Sequence, residues 1–127
     1  MDKCHSYLAQ AWKSYTQASD RYGVESPEAE LIWWAFEEME QLIDHNPQDA
    51  FEVILEILRI TDEEKVLFNL AAGPLESILV KHGKEVIDSI TETAKNNPKF
   101  RDLLQGVWGN SIDEMVWKQI ERLYEHD

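Results

Sequence analysis

At 127 residues the chain has room for one hydrophobic core and not two, because a domain of this size buries roughly two thirds of the surface its unfolded chain exposes. A formal charge of −13, with no basic stripe to displace counterions, argues against nucleic acid and anionic membranes as direct partners and for basic surfaces. Cys4 is the only cysteine, which rules out an internal disulfide and a thiolate zinc site. No apolar run approaches the roughly 20 residues that span a bilayer. The start Met1-Asp2-Lys3-Cys4-His5 lacks the apolar stretch of a secretory signal, so a cytoplasmic protein is expected.

Taken in chain order, Leu8, Ala11, Trp12 and Tyr15 recur at helical spacing and predict a helix over 3–22. Ser26-Pro27 then supplies a hydroxyl cap and a proline at the first helical position, opening a helix over 27–45. Asn46-Pro47 repeats the device for 47–60, where Phe51, Val53, Ile54, Leu55, Ile57 and Leu58 leave few polar sides and predict the central helix. Thr61-Asp62-Glu63-Glu64 has the capping-box form and predicts 62–72. Gly73, Gly83 and Gly109 sit where helices are expected to stop, giving further helices over 74–82 and 84–96. Asn97-Pro98 opens 98–108, and Ser111-Ile112-Asp113-Glu114 opens 112–125. No stretch alternates as a strand does. The expected fold is all-α: a single domain over 1–127, a compact bundle of about eight short helices. The Asn-Pro and Ser/Thr signals return about fifty residues apart, which suggests helical hairpins stacked in a HEAT-like manner.

Catalytic constellations are missing from the sequence. There is no glycine-rich phosphate loop, no nucleophile elbow and no histidine pair at i, i+4; His5, His45, His82 and His126 are scattered. Cys4 neighbours His5, but adjacent helical residues point about 100° apart, which argues against a Cys–His nucleophile. Neither an enzyme, a cofactor nor a bound metal is expected. The most distinctive segment runs from Leu70 through Gly73-Pro74-Leu75-Glu76 to His82-Gly83. Structurally, Gly73 closes one helix, Pro74 opens the next, and Glu76 returns a hydrogen bond near the positive helix end. His82 falls on the side of Leu75, Ile78 and Leu79, near a helix C-terminus that favours its protonated form. Functionally, Gly73, Pro74, Glu76 and His82 would frame a helix N-terminus offered to a ligand anion.

Leu-Ala-Ala-Gly-Pro-Leu-Glu over 70–76, His82-Gly83, Val86-Ile87-Asp88, Ala94, Asn97-Pro98, Phe100-Arg101 and Val107-Trp108 resemble the pattern of a family of small, uncharacterised bacterial all-helical domains. The resemblance covers Ile32 to Leu123 and leaves 1–25 outside. It implies a bacterial cytoplasmic helical protein, with no established activity and no catalytic residue to transfer.

From Tyr22 to Leu58 there is no Lys or Arg, while Glu25, Glu28, Glu30, Glu37, Glu38, Glu40, Asp44, Asp49, Glu52 and Glu56 accumulate. On the helix beginning at Pro27, Leu31, Ile32, Ala35, Phe36, Met39, Leu42 and Ile43 share one arc; Glu30, Trp33, Glu37, Glu40 and Asp44 lie opposite. Like charges at this spacing destabilise a helix by a few tenths of a kcal/mol each, so the stripe calls for another reason. An indole among carboxylates has the composition of an anchor for a basic partner, the ring supplying affinity and the acids steering. The competing reading packs Trp33 or Trp34 under the N-terminal helix. Trp108 and Trp117, on apolar arcs, are expected in the core.

The function expected from these residues is an acidic protein-binding module, an immunity or antitoxin-like protein that neutralises a bacterial toxin by covering a basic surface. A second copy of the chain is a further candidate partner. The alternatives are a small-ligand-binding or regulatory domain using the Gly73–Glu76 turn, and an enzyme using carboxylates with a divalent metal.

Overall fold

The computed structural model describes residues 3–125, with side chains from residue 5 onward. The Cys4 side chain and His126 therefore lie outside the described part. The fold is compact and all-α, with no strand among the described residues.

Helix α1 (Lys3–Tyr22) ends where Gly23, at φ 97°, donates its N–H to the Ser19 carbonyl at 2.9 Å. This left-handed C-cap requires a glycine, and it is not among the stops expected from the sequence. Ser26 caps the single turn α2 (Pro27–Glu30), its hydroxyl accepting the Ala29 N–H at 3.2 Å. The helix expected over 27–45 is broken: Ile32 departs from helical geometry at φ −121°, ψ 17°, and α3 (Trp33–His45) begins after it. The break turns Leu31 out of the expected apolar arc to 81% exposure, while Ala35, Met39 and Ile43 remain buried.

Helix α4 (Pro47–Ile60) is capped by Asn46 and is the central helix expected. Phe51, Val53, Ile54, Ile57 and Leu58 are buried, and α1, α3 and the later helix α6 (Glu76–Asn96) all pack on it. Phe51 meets Phe100 of α7 (Pro98–Leu104) edge to face at 5.4 Å. Asn97 caps α7 through the Phe100 N–H at 3.1 Å, as its Asn-Pro signal predicts. The helices framed by the two Asn-Pro signals differ in length, 14 residues against 7, so the echo marks two caps and not two equal hairpins.

Both capping boxes shift. α5 (Glu64–Leu70) starts after Glu63, whose side chain makes no cap, while the Thr61 hydroxyl accepts the Glu63 N–H at 3.1 Å in a local turn. α8 (Glu114–Arg122) is capped by Asp113, which accepts from Met115 at 2.9 Å and Val116 at 3.4 Å. An ionised carboxylate makes the stronger, charge-assisted cap, and Asp113 takes the place expected of Ser111.

Gly73-Pro74 does not separate two helices. α5 runs through a π-helical turn (Ala71–Leu75) straight into α6, the Glu76 N–H reaching back to the Ala71 carbonyl. A proline inside an α-helix costs about 3 kcal/mol through its missing N–H and its clash with the carbonyl four residues back. The wider π turn relieves that clash. Gly83 is different: beside it His82 leaves helical geometry (φ −135°, ψ 25°), so α6 is two helical segments joined at a kink, where the sequence places a stop. The lack of a side chain at Gly83 admits α8: an added Cβ would stand 3.1 Å from Val116.

Candidate functional site

The first turn of α3 carries two adjacent indoles to the flank of α1. Trp33 meets Tyr15 edge to face at 5.6 Å and stacks on Phe36 at 4.7 Å. Trp34 stacks on Tyr7 at 5.6 Å. Both rings are held on one side by α1 and open on the other, at 43% exposure for Trp33 and 40% for Trp34. Each of the two readings of Trp33 is thus partly met: α1 packs on it, and a large part of the ring faces solvent. Nothing in the sequence singles out Tyr7 and Tyr15, because their role depends on how α1 crosses α3.

Glu37, Glu40 and Asp44 follow Trp33 at helical spacing along α3, while Glu30 sits on the other side of the break. Glu30 and Glu37 are exposed and Glu40 is half-buried. Among the described residues no ion pair reaches Glu28, Glu30, Glu37, Glu38 or Glu40. Asp44 differs, since Lys81 of α6 donates to it at 2.7 Å. That hydrogen bond is the main reason the Asp44 carboxyl is held below its usual range, and it raises the Lys81 ammonium in turn. Asp44 works as a strut between α3 and α6, and the unpaired charge gathers nearer the indoles.

Gly73, Pro74, Glu76 and His82 have internal roles in the structure. Pro74 is buried in the π turn. The Glu76 carboxylate accepts the Trp108 N–H at 3.1 Å, tying the start of α6 to the loop before α8. The His82 Nδ1 lies 3.3 Å from Glu85, while its Nε2 is buried without a hydrogen-bond partner. Gly73 is half-buried with nothing within 4 Å of where a Cβ would sit. Trp108 is 66% exposed, contrary to the core position expected: α7 stops at Leu104, so residue 108 is off the helix whose arc predicted its burial. Trp117 packs against the core.

α1 and α4 together also bring His5 between Asp49 and Glu52, with ligand-type atoms of all three within 4.8 Å of one another. The imidazole Nδ1 is 3.4 Å from Glu52 and Nε2 is 3.9 Å from Asp49. Nδ1 is buried and has no hydrogen-bond partner. Helix-to-helix packing creates this group, and no spacing in the sequence announces it.

The chain is therefore a compact all-helical protein whose most developed surface is aromatic and acidic. It belongs to a family of unknown function (DUF6869), whose pattern matches residues 23–127. The match begins just after α1, consistent with the resemblance found from Ile32 onward. No curated protein and no solved structure matches the chain.

Proposed function

We propose that this protein is an acidic binding module that grips a basic protein surface through Trp33 and Trp34, as an immunity or antitoxin-like protein covers a bacterial toxin in the cytoplasm. One observation carries the reading: two neighbouring indoles, each about two fifths open, share their helix with Glu37 and Glu38, which have no ion pair among the described residues, and Glu40, which feels Lys81 only at longer range. Covering the open part of each ring removes roughly 60–100 Å2 of apolar surface, about 2 kcal/mol per indole. Rings fixed by Tyr15, Phe36 and Tyr7 lose little freedom on binding, which is the condition for an anchor. Glu30, Glu37 and Glu40 supply steering and rejection of acidic competitors. The choice of a toxin among basic partners rests on analogy with other small acidic helical neutralisers.

Affinity capture from the native host tests the reading. Trp33→Ala with Glu37→Lys and Glu40→Lys is expected to lose the partner that wild type retains. A control carrying equal charge reversal at Glu92 and Glu121, on α6 and α8, is expected to keep it. Equal capture by the first variant and wild type would remove this face from the account.

A small ligand beside the π turn is the second reading. It is favoured by a groove of about 320 Å3 that touches the turn at Ala71 and is otherwise walled by Leu58, Leu67, Phe68, Lys99, Leu103 and Gly106 among others. A thermal-shift screen of metabolites with no response counts against it.

A further inference from the structure

The start of α3 repeats one arrangement twice. Trp33 is followed four residues on by Glu37 and Trp34 by Glu38, all four exposed and all on the same helix. Residues four apart are neighbours on a helix surface, about 5–6 Å between their Cβ atoms. Helical side chains also lean toward the N-terminus, so each carboxylate is carried back over the turn that bears its indole. The two pairs begin at consecutive residues, about 100° apart around the axis. They flank one ridge of α3 as two notches, each with a ring at one end and an acid at the other.

The chain leaves both notches open. No Lys or Arg occurs from Tyr22 to Leu58. Among the described residues no cation pairs with Glu37 or Glu38 or lies over either indole. Lys81 meets α3 at its far end, on Asp44. The rings themselves are fixed, Trp33 against Tyr15 and Phe36 and Trp34 on Tyr7. Trp108 makes the contrast: it is more exposed, at 66%, but Ile112 stands four residues on, and Glu76 beside it accepts its backbone N–H.

We propose that this face selects arginine over lysine, each notch taking one guanidinium, so that the basic partner presents two arginines on one segment. The inference rests on the reading of the face as a protein-binding surface and names the side chain it recognises. A guanidinium is flat: its face stacks on an indole while its N–H groups, directed outward in the same plane, donate in parallel to a carboxylate. A lysine ammonium is a compact, strongly hydrated point charge, which can meet a ring or an acid but lacks the flat fork that serves both. An exposed carboxylate alone would discriminate little, because ion pairs in water are weak. The fixed ring beside it makes the difference, and two adjacent notches turn the second contact into an intramolecular one.

The test is a titration of the full chain with acetyl-Arg-Gly-Arg-amide and with acetyl-Lys-Gly-Lys-amide at constant ionic strength, following the indole N–H signals of its five tryptophans. The peptides carry equal charge, so any difference between them reports the shape of the cation. Saturable shifts are expected at Trp33 and Trp34 and not at Trp108, with the arginine peptide binding about fivefold more tightly. Glu37→Gln with Glu38→Gln, two exposed substitutions, is expected to erase that preference, while Glu92→Gln with Glu121→Gln keeps it. Equal affinity for the two peptides, shifts that do not saturate, or equal response at Trp108 would overturn the proposal. If the Trp33→Ala variant still loses its captured partner in that case, the binding face stands and only arginine recognition fails. Arginine preference in a protein whose capture ignores this face would instead remove the partner-binding reading.

Discussion

Trp117 occupies the space that a side chain at position 109 would need: a Cβ built on Gly109 would run into the indole ring. Gly109→Ala is therefore expected to force the ring aside and cost about 1–3 kcal/mol in urea unfolding; no measurable loss would mean the indole moves freely. Glu56 poses the opposite problem, a carboxylate 4% exposed on the central helix. Arg59 solves it, its Nε donating at 3.0 and 3.2 Å and its Nη2 adding a further bond. That hydrogen bonding, the largest influence, outweighs burial and holds the Glu56 carboxyl below its usual range. A carboxyl lowered on folding stabilises the fold fully above its unfolded pKa and loses that contribution as pH falls through the folded value. Wild type should therefore exceed Glu56→Gln in stability at neutral pH, with the gap closing in the acid range below the ordinary glutamate pKa. Urea unfolding across pH checks this, and a gap that stays constant would contradict it.

At the scale of elements, the caps were the most legible part of the sequence, because a cap is decided within four residues. Ser26, Asn46 and Asn97 all accept the backbone N–H that their Ser-Pro and Asn-Pro settings predict. The apolar run of α4 was equally plain, since a helix with so few polar sides can only be central. What the sequence hid was the continuation of α5 into α6 and the break at Ile32. Both depend on tertiary packing: the rod keeps Leu70, Leu75 and Ile78 on one buried side across Gly73-Pro74, and the break presents the Trp33–Trp34 pair to α1. The π turn also yields a sharp prediction. Gly73 has no positive φ, as suits a residue inside a continuous helix, but a Cβ there in helical geometry would meet the Cδ of Pro74. With Pro74→Ala in place that clash is gone, and adding Gly73→Ala should raise stability by about 0.5–1 kcal/mol from helix propensity. A loss of similar size in thermal or urea unfolding would show that the chain does stop there.

For the molecule as a whole, the charge balance is the property most in need of a function. Like charges without an ion pair among the described residues weaken the fold through self-repulsion, and on α3 they stand beside rings that α1 holds without covering. The sequence made the acidic stripe and Trp33 visible, but not Trp34 as its equal, nor Lys81 drawing Asp44 away toward α6. Tyr7 and Tyr15, which position the rings, lie on a helix that precedes the family match at residue 23, so the face depends on both parts of the chain. Amide and side-chain protection mapped on the protein with its captured partner bound tests the central claim most directly. Protection is predicted to centre on Trp33, Trp34 and the 30–41 backbone, with α8 unchanged; protection centred elsewhere, with both indoles as accessible as before, would contradict it.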